Sequence, residues 1–107
     1  MRRGALGLAL LAAAPATGLV AGAPAVTVAQ RNRAFAVDHV AIRRGETVRF
    51  TNDDEFLHQI YTRSAEFSFD SDEQPSGQVV DLTFPVAGTH QVRCGIHPRM
   101  LLRVEVE

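Results

Sequence analysis

The chain has no lysine or tryptophan and only one cysteine, and each shortage limits what it can be. The single cysteine, Cys94, excludes a disulfide within the chain. All 11 basic residues are arginine, and with 12 acidic residues the formal net charge is −1. This balance argues against nucleic acid as a partner, because nucleic-acid binders carry a clear excess of positive charge. Helical periodicity is also missing after the N-terminal segment, which argues against a helical fold.

The N-terminal segment is typical of a secretory signal. Two arginines open it, residues 5–20 form an apolar run, and Ala23-Pro24-Ala25 offers the small-x-small pattern at which signal peptidase cuts. The run is shorter than the about 20 apolar residues that span a membrane, so cleavage after Ala25 is favoured over a retained anchor. We therefore expect residues 1–25 to be a signal peptide and residues 26–107 to form one domain. The mature protein is expected in the periplasm or otherwise exported, without stable membrane insertion.

The remaining chain shows short alternating runs separated by turn residues, a pattern that predicts an all-β sandwich. In the last run Leu102, Val104 and Val106 alternate with charged residues, the period of a strand that is buried on one face. Residues 63–77 are predicted to form a loop anchored by two phenylalanines. The predicted strands are Val37–Ile42, Thr47–Thr51, His58–Thr62, Gln78–Phe84, Thr89–Cys94 and Leu101–Val106.

The segment from Cys94 to Met100 places a thiol, an imidazole and a thioether within seven residues. Soft thiolate and thioether ligands select copper, and a site of two histidines, one cysteine and a weak axial methionine suits electron transfer. His97 lies inside this loop, and the second imidazole must come from elsewhere. His58 is the candidate, because it follows a polar loop and begins a predicted strand. Taken singly, Cys94 and Met100 could equally be core residues, so the prediction depends on their spacing.

The other two histidines are not expected to bind the metal. His39 is predicted to face solvent. Four residues of strand place His90 about 13 Å from Cys94, so it is expected to fill a position at the edge of the core. Residues 53–55 and 66–73 are acidic and are interpreted as solvated loops. A docking patch for a basic partner is the alternative interpretation of these loops.

Three features of the sequence resemble the cupredoxins, and among them the amicyanins and the plastocyanin-like proteins associated with methylamine utilisation. The first is the Cys-x-x-His-Pro-x-Met loop of residues 94–100. The second is Asn52, an asparagine six residues before His58. The third is the Pro-x-x-Gly-Thr sequence of residues 85–89, which leads into the cysteine strand.

The resemblance implies a cupredoxin-like Greek-key β-sandwich of about seven to eight strands. It also implies one type-1 copper ion with His58, Cys94 and His97 as equatorial ligands and Met100 as a long axial ligand. Asn52 would lie behind the ligands and hydrogen-bond near the cysteine loop. The rim through which the electron passes would surround His97 and consist of Leu57, Ile96, Pro98 and Arg99.

We therefore expect a small exported blue-copper protein that carries single electrons, rather than an enzyme, because four protein ligands leave no open coordination position. Its partners would be a redox donor and a redox acceptor that dock transiently onto a monomer. Two alternatives remain open. One is a periplasmic copper-binding or copper-delivery protein that uses the same ligands, and the other is an interaction module without a metal on the same scaffold.

Overall fold

The computed structural model describes residues 23–107, so the predicted signal peptide lies outside the described residues except for its last three. Residues 23–107 form nine strands in two sheets and no helix, and therefore include no helix that could span a membrane. The strands are β1 (Val26–Arg31), β2 (Ala34–Phe35), β3 (His39–Ile42), β4 (Thr47–Asn52), β5 (Ile60–Arg63), β6 (Ser68–Asp70), β7 (Val79–Thr83), β8 (Gly88–Cys94) and β9 (Leu101–Val106). The predicted all-β sandwich is confirmed.

One sheet has five strands in the order β3-β9-β8-β5-β6, and the other has four in the order β2-β1-β4-β7. The pairs β3–β9 and β1–β4 are parallel, and the other neighbours are antiparallel. Alternate residues of both sheets face each other and form one apolar core, as expected for stacked sheets. The core residues are Val28, Ile42, Val48, Phe50, Ile60, Leu82, Phe84, Val92, Leu102, Val104 and Val106.

Three strands were not predicted, and each has a local reason. In β1 the inward side chains are Val26, Val28 and Gln30, and the fully buried, polar Gln30 ends the apolar alternation after two residues. The strands β2 and β6 have two and three residues, too few for a period to show. These two short strands bring the total to nine, against the expected seven to eight. The predicted anchors of the 63–77 loop, Phe67 and Phe69, do pack against the core.

Strand pairing brings the two separate ligand segments to one end of the sandwich. The start of β5 lies beside the end of β8, where Ile60 is paired with Cys94. One residue further, the Gly95 N–H donates to the Gln59 carbonyl at 2.9 Å. Strand β9 then returns antiparallel to β8, with Leu101 opposite Arg93. The segments before β5 and between β8 and β9 must therefore meet at this end.

Candidate metal centre

The loop between β8 and β9 is short and closed by its own backbone. It begins after Cys94, and the Met100 N–H donates to the His97 carbonyl at 3.0 Å. Pro98 lies inside this turn, where its fixed φ limits the conformations that the loop can adopt. Cys94 and Met100 are buried, with 1% and 2% of their surfaces exposed, and His97 is half-buried. The loop therefore places a buried sulfur at each end and an imidazole at the surface between them.

His58 is fully buried and is held by the backbone on both sides of its residue. Its N–H donates to the Gln74 carbonyl at 3.1 Å, and the Gln74 N–H donates to the His58 carbonyl at 2.7 Å. The prediction that His58 begins a strand was close, since it forms this isolated bridge and β5 begins at Ile60. The bridge fixes the backbone of His58 and thereby the direction of its side chain.

Three donor atoms of these two segments form a small triangle. The Cys94 Sγ lies 3.5 Å from the His58 Nδ1 and 3.8 Å from the His97 Nδ1. The two Nδ1 atoms are 3.3 Å apart. The centre of such a triangle lies about 2 Å from each corner, which is the length of a bond from a transition metal to nitrogen or sulfur. The three side chains therefore match a metal site of one thiolate and two imidazoles.

Asp54 fixes the orientation of the His58 ring. Its Oδ2 lies 3.1 Å from the His58 Nε2, and both side chains are buried. Because a carboxylate can only accept, the His58 proton resides on Nε2 and the Nδ1 lone pair faces the triangle. A carboxylate behind a ligating histidine commonly sets the tautomer in this way and increases the basicity of the ligand.

The environment of Asp54 favours its charged form. Burial alone raises the pKa of this carboxyl, but three hydrogen bonds outweigh burial and hold the pKa below its usual value. They come from the Arg33 N–H at 2.7 Å, from His58, and from the Glu55 N–H at 3.2 Å. Asp54 therefore keeps a negative charge behind His58, although it is almost completely removed from solvent.

The Cys94 sulfur accepts a hydrogen bond from the backbone. The Gln59 N–H lies 3.3 Å from Sγ, one residue beyond His58. This hydrogen bond holds Sγ in place at the corner of the triangle. The Gln59 side chain donates in turn to Asp70 at 2.9 Å, which connects this position to the loop around β6.

Asn52 and Gln74 support the His58 loop from below. The Asn52 side-chain amide donates to the carbonyls of Phe56 and Gln74 at 2.9 Å each and accepts from the Asp54 N–H at 2.9 Å. The resemblance implied a hydrogen bond of Asn52 near the cysteine loop, and the bonds that its side chain makes go to residues around His58. The asparagine lies at the end of β4, so its side chain reaches the turn that follows β4 rather than residues 94–100.

Gln74 connects the same loop to the second sheet. Its side-chain amide donates to the carbonyls of Phe50 and Gln78 at 3.0 and 2.8 Å and accepts from the Gln30 amide at 2.8 Å. Gln74 and Gln30 are fully buried, so water does not compete for these hydrogen bonds. The position of His58 is thereby tied to β1 and β4.

The half-buried His97 lies in a surface depression that Ile96, Pro98 and the two arginines Arg33 and Arg99 also line. Leu57 and Ile96 are 41% and 40% exposed, and Pro98 and Arg99 are exposed as well. The Phe56 ring meets the His97 ring edge-on at 6.1 Å between centroids. Burial lowers the pKa of His97, and its electrostatic interactions with the neighbouring His58 and Arg33 lower it further. The imidazole is therefore biased toward the neutral form, in which a nitrogen lone pair is free to bind a metal.

The two remaining histidines lie where the sequence placed them. His39 is exposed on β3. His90 is buried at the core edge, where its Nε2 donates to the Val86 carbonyl at 2.8 Å and its ring packs against Phe67 and Phe84. Neither histidine belongs to the donor triangle.

The fold and the donor set together define a class of protein. A two-sheet sandwich whose end carries a buried triangle of one cysteine and two histidines is cupredoxin-like, and the triangle fits one type-1 copper ion. The chain is thus a cupredoxin-like protein whose structure is close to that of amicyanin.

The similarity to known proteins is found by comparing structures. No protein-family model matches the chain, and no curated protein matches it. Amicyanin from Paracoccus versutus (Thiobacillus versutus) is similar in structure, with 29% identity, a TM-score of 0.71, and coverage of 81% of this chain and 87% of that one. A reduced single-residue mutant of amicyanin gives 26% identity and a TM-score of 0.72, covering 84% and 88% of the two chains. The Cu(I) form of another mutant gives 25% and 0.72, covering 80% and 85%.

Sequence reasoning missed several side chains of this site, and two of them, Asp54 and Arg33, act directly on the candidate ligand histidines. Asp54 was grouped with its neighbours as part of a solvated acidic loop, but it is only 7% exposed. Its position between Asn52 and His58 was a usable signal, because a carboxylate four residues before a candidate ligand can fold back onto it. Arg33 gave no signal, since its proximity to His97 depends on a hairpin that the sequence did not predict.

Proposed function

We propose that this protein is an exported blue-copper carrier that passes single electrons between a redox donor and a redox acceptor. The observation that carries the proposal is the triangle of His58 Nδ1, Cys94 Sγ and His97 Nδ1, with edges of 3.3 to 3.8 Å. The names of the similar structures support it, since one is a Cu(I) form of amicyanin and another is a reduced form. Four protein ligands without an open position favour a carrier over an enzyme.

In this proposal His58, Cys94 and His97 would hold the copper ion through two imidazole nitrogens and a thiolate, and Met100 would add a weak thioether ligand. Copper would contribute a one-electron change between Cu(I) and Cu(II). The protein contributes rigidity, which keeps the ligands in place during that change. The Gln59 N–H holds the thiolate, and the Asp54 carboxylate keeps the His58 lone pair directed at the triangle.

The electron would enter and leave through His97. This imidazole is the only one of the three triangle side chains that is not fully buried. The rim around it, formed by Leu57, Ile96, Pro98 and Arg99, would allow a partner to approach closely without displacing ordered polar groups. Short-lived docking suits a carrier that must release each partner after transfer.

Spectroscopy and voltammetry of the copper-loaded protein test the proposal. We expect an intense visible absorption band from charge transfer between thiolate and Cu(II), together with a fast and reversible one-electron couple. Replacement of Cys94 with serine should abolish the band. Colourless copper-loaded protein would refute the proposal. A blue protein without a reversible couple that readily releases Cu(I) to a chelator would instead favour copper delivery.

We also propose that residues 1–25 are removed on export. The mass of the protein recovered from the periplasm of an expressing bacterium should correspond to a chain that begins at Val26. A mass that includes the first 25 residues, found in the membrane fraction, would indicate a retained anchor instead.

A further inference from the structure

A strained hairpin turn lies beside the metal end of the sandwich. Strands β1 and β2 pair Arg31 with Ala34, which leaves a two-residue turn of Asn32 and Arg33. Both residues have left-handed backbones, with φ of 56° and 57°. Turns of this type favour asparagine followed by glycine, because a side chain at the second position is strained. Arginine at that position goes against the local preference, which points to a use for its side chain.

The backbone of Arg33 does not explain the choice of arginine. Its N–H donates to Asp54 at 2.7 Å, but a glycine would present the same N–H without strain. The guanidinium makes the contact that glycine could not. It lies over the Phe56 ring, 4.5 Å from the centroid, and the same ring meets His97 edge-on. The turn therefore fixes a positive charge next to the exposed imidazole.

A second arginine completes a basic rim around His97. A surface depression of about 340 Å³ is lined by Asn32, Arg33, Ile96, His97, Pro98 and Arg99, and thus contains two cations and no carboxylate. Among residues 23–107, neither Arg33 nor Arg99 has a carboxylate within salt-bridge distance, whereas Arg31 pairs with Asp53 and Arg49 with Asp81. The chain has more acidic than basic residues, so this local excess does not follow from composition.

We propose that the basic rim of Arg33 and Arg99 docks a redox protein through an acidic face, on which carboxylates surround the partner's own electron port. The inference rests on the proposed electron-carrier function and names the chemistry of one partner. Ile96 and Pro98 would exclude water at the centre of the contact, and the two guanidiniums would pair with carboxylates at its edge. Opposite charges at a rim mainly accelerate the encounter and fix its orientation.

Electron transfer to small complexes of known charge tests the rim. The copper-loaded, reduced protein is mixed with hexacyanoferrate(III), an anion, or with tris(1,10-phenanthroline)cobalt(III), a cation, at low ionic strength. Each complex takes one electron from Cu(I). We expect Arg33→Gln and Arg99→Gln to slow the reaction with the anion about three- to tenfold each and to weaken its salt dependence. The cation should react no more slowly than before.

Arg44→Gln is the matched control. It removes the same charge from the opposite end of the sandwich, where the Arg44 N–H donates to the Glu107 carbonyl. Arg33→Gly adds a second test, because it should relieve the strained turn. We expect an unchanged or higher melting temperature together with a slower reaction with the anion. Equal effects of Arg33→Gln and Arg44→Gln, or no slowing in either rim variant, would overturn the inference.

Competition with a polypeptide separates an acidic protein from other anions. Poly-L-glutamate should inhibit the reaction of the wild-type protein with hexacyanoferrate(III), and inhibit the double variant R33Q/R99Q much less. Poly-L-lysine should not inhibit through this rim. Arginine-dependent binding to phosphatidylglycerol vesicles with no effect of polyglutamate would indicate a membrane surface and overturn the inference. If the copper-loaded wild-type protein had no blue band or no reversible couple, the proposed carrier function would be refuted, and the docking inference with it.

Discussion

Two buried histidines at different positions of the same sandwich have opposite surroundings. His58 has a carboxylate at one ring nitrogen, and a thiol and a second imidazole at the other. His90 donates to one backbone carbonyl, and its buried Nδ1 has no hydrogen-bond partner among residues 23–107. Two phenylalanine rings, Phe67 and Phe84, cover it. Burial is nearly the same, at 0% and 5% exposure, so burial alone does not distinguish a ligand from a core residue.

The difference lies in whether the neighbouring segments place polar groups or core side chains beside each imidazole ring. His58 follows the turn that contains Asp54 and faces the β8–β9 loop, so polar groups reach both nitrogens. His90 lies in the middle of β8, two and four residues before the inward-facing Val92 and Cys94, where the surrounding positions are filled by core side chains. A strand interior offers packing, whereas a strand end beside two loops offers ligands.

Replacing each histidine with phenylalanine should give the largest contrast. His58→Phe removes one corner of the triangle, and we expect loss of the blue band and of tight copper binding. It also deprives the buried Asp54 of a partner, which should destabilise the metal-free protein by about 1–3 kcal/mol. His90→Phe should retain the band. Absorption spectra, copper titration and urea unfolding measure these effects, and a blue His58→Phe protein would refute the assignment of this ligand.

The carboxylate behind His58 should produce the next largest effect. Asp54→Asn weakens the acceptor at Nε2 and makes the ligand less basic, so we expect about 10–100-fold weaker Cu(II) binding. The potential should rise by about 59 mV for each tenfold loss of Cu(II) over Cu(I) affinity. Asp53→Asn is the control, since Asp53 is exposed and pairs with Arg31 at 3.4 Å. Equal potentials in both variants would show that Asp54 does not act through His58.

His90→Phe should change the stability by a smaller amount than His58→Phe, and in the opposite direction. Phenylalanine at this position loses the hydrogen bond to Val86 but no longer buries an unsatisfied ring nitrogen. Because the second term is the larger, we expect a gain of about 1 kcal/mol in the free energy of unfolding. His39→Phe on the exposed face of β3 is the control and should show no such gain. A destabilised His90→Phe protein would indicate that the Val86 bond or the shape of the ring matters more.

The sequence predicted the features that depend on residue spacing. Alternation revealed β9 and its neighbours, and the Cys94–Met100 spacing revealed one loop of the site. The distance of four residues along the strand was enough to separate His90 from the site, although it shares the parity of Cys94. These properties are local, so they can be read without knowing which strands are neighbours.

The features that the sequence did not reveal depend on contacts between distant segments. The buried Gln74 and Gln30 meet only because β1 pairs with β4 and the 71–78 loop folds back onto His58. Arg33 lies near His97 because of a hairpin whose first strand, β1, has a buried glutamine in place of a third inward apolar residue. Asp54 has an acidic neighbour on each side, and composition alone gave no reason to bury it. From the sequence alone, polar residues that the fold buries cannot be distinguished from polar residues on the surface.

The exposed carboxylate of Asp81 can be compared with the buried Asp54, and its replacement should have the smallest effect. Asp81 accepts two hydrogen bonds from Arg49, at 2.8 and 2.9 Å, and these hold its pKa below the usual value. A group whose folded pKa is lowered stabilises the fold above its unfolded pKa of about 3.9, and that contribution disappears as the pH falls through the lower, folded value. We therefore expect Asp81→Asn to reduce stability slightly at pH 7 and not at all in strong acid.

Urea unfolding at several pH values and salt concentrations measures this difference. Both side chains of the Arg49–Asp81 pair are more than a third exposed, so solvent screens the pair and added salt should shrink the difference further. The copper band and potential should not change, because the pair lies between β4 and β7, outside the donor triangle. If Asp81→Asn shifted the potential as much as Asp54→Asn, the effect of Asp54 would be one of overall charge rather than of its contact with His58.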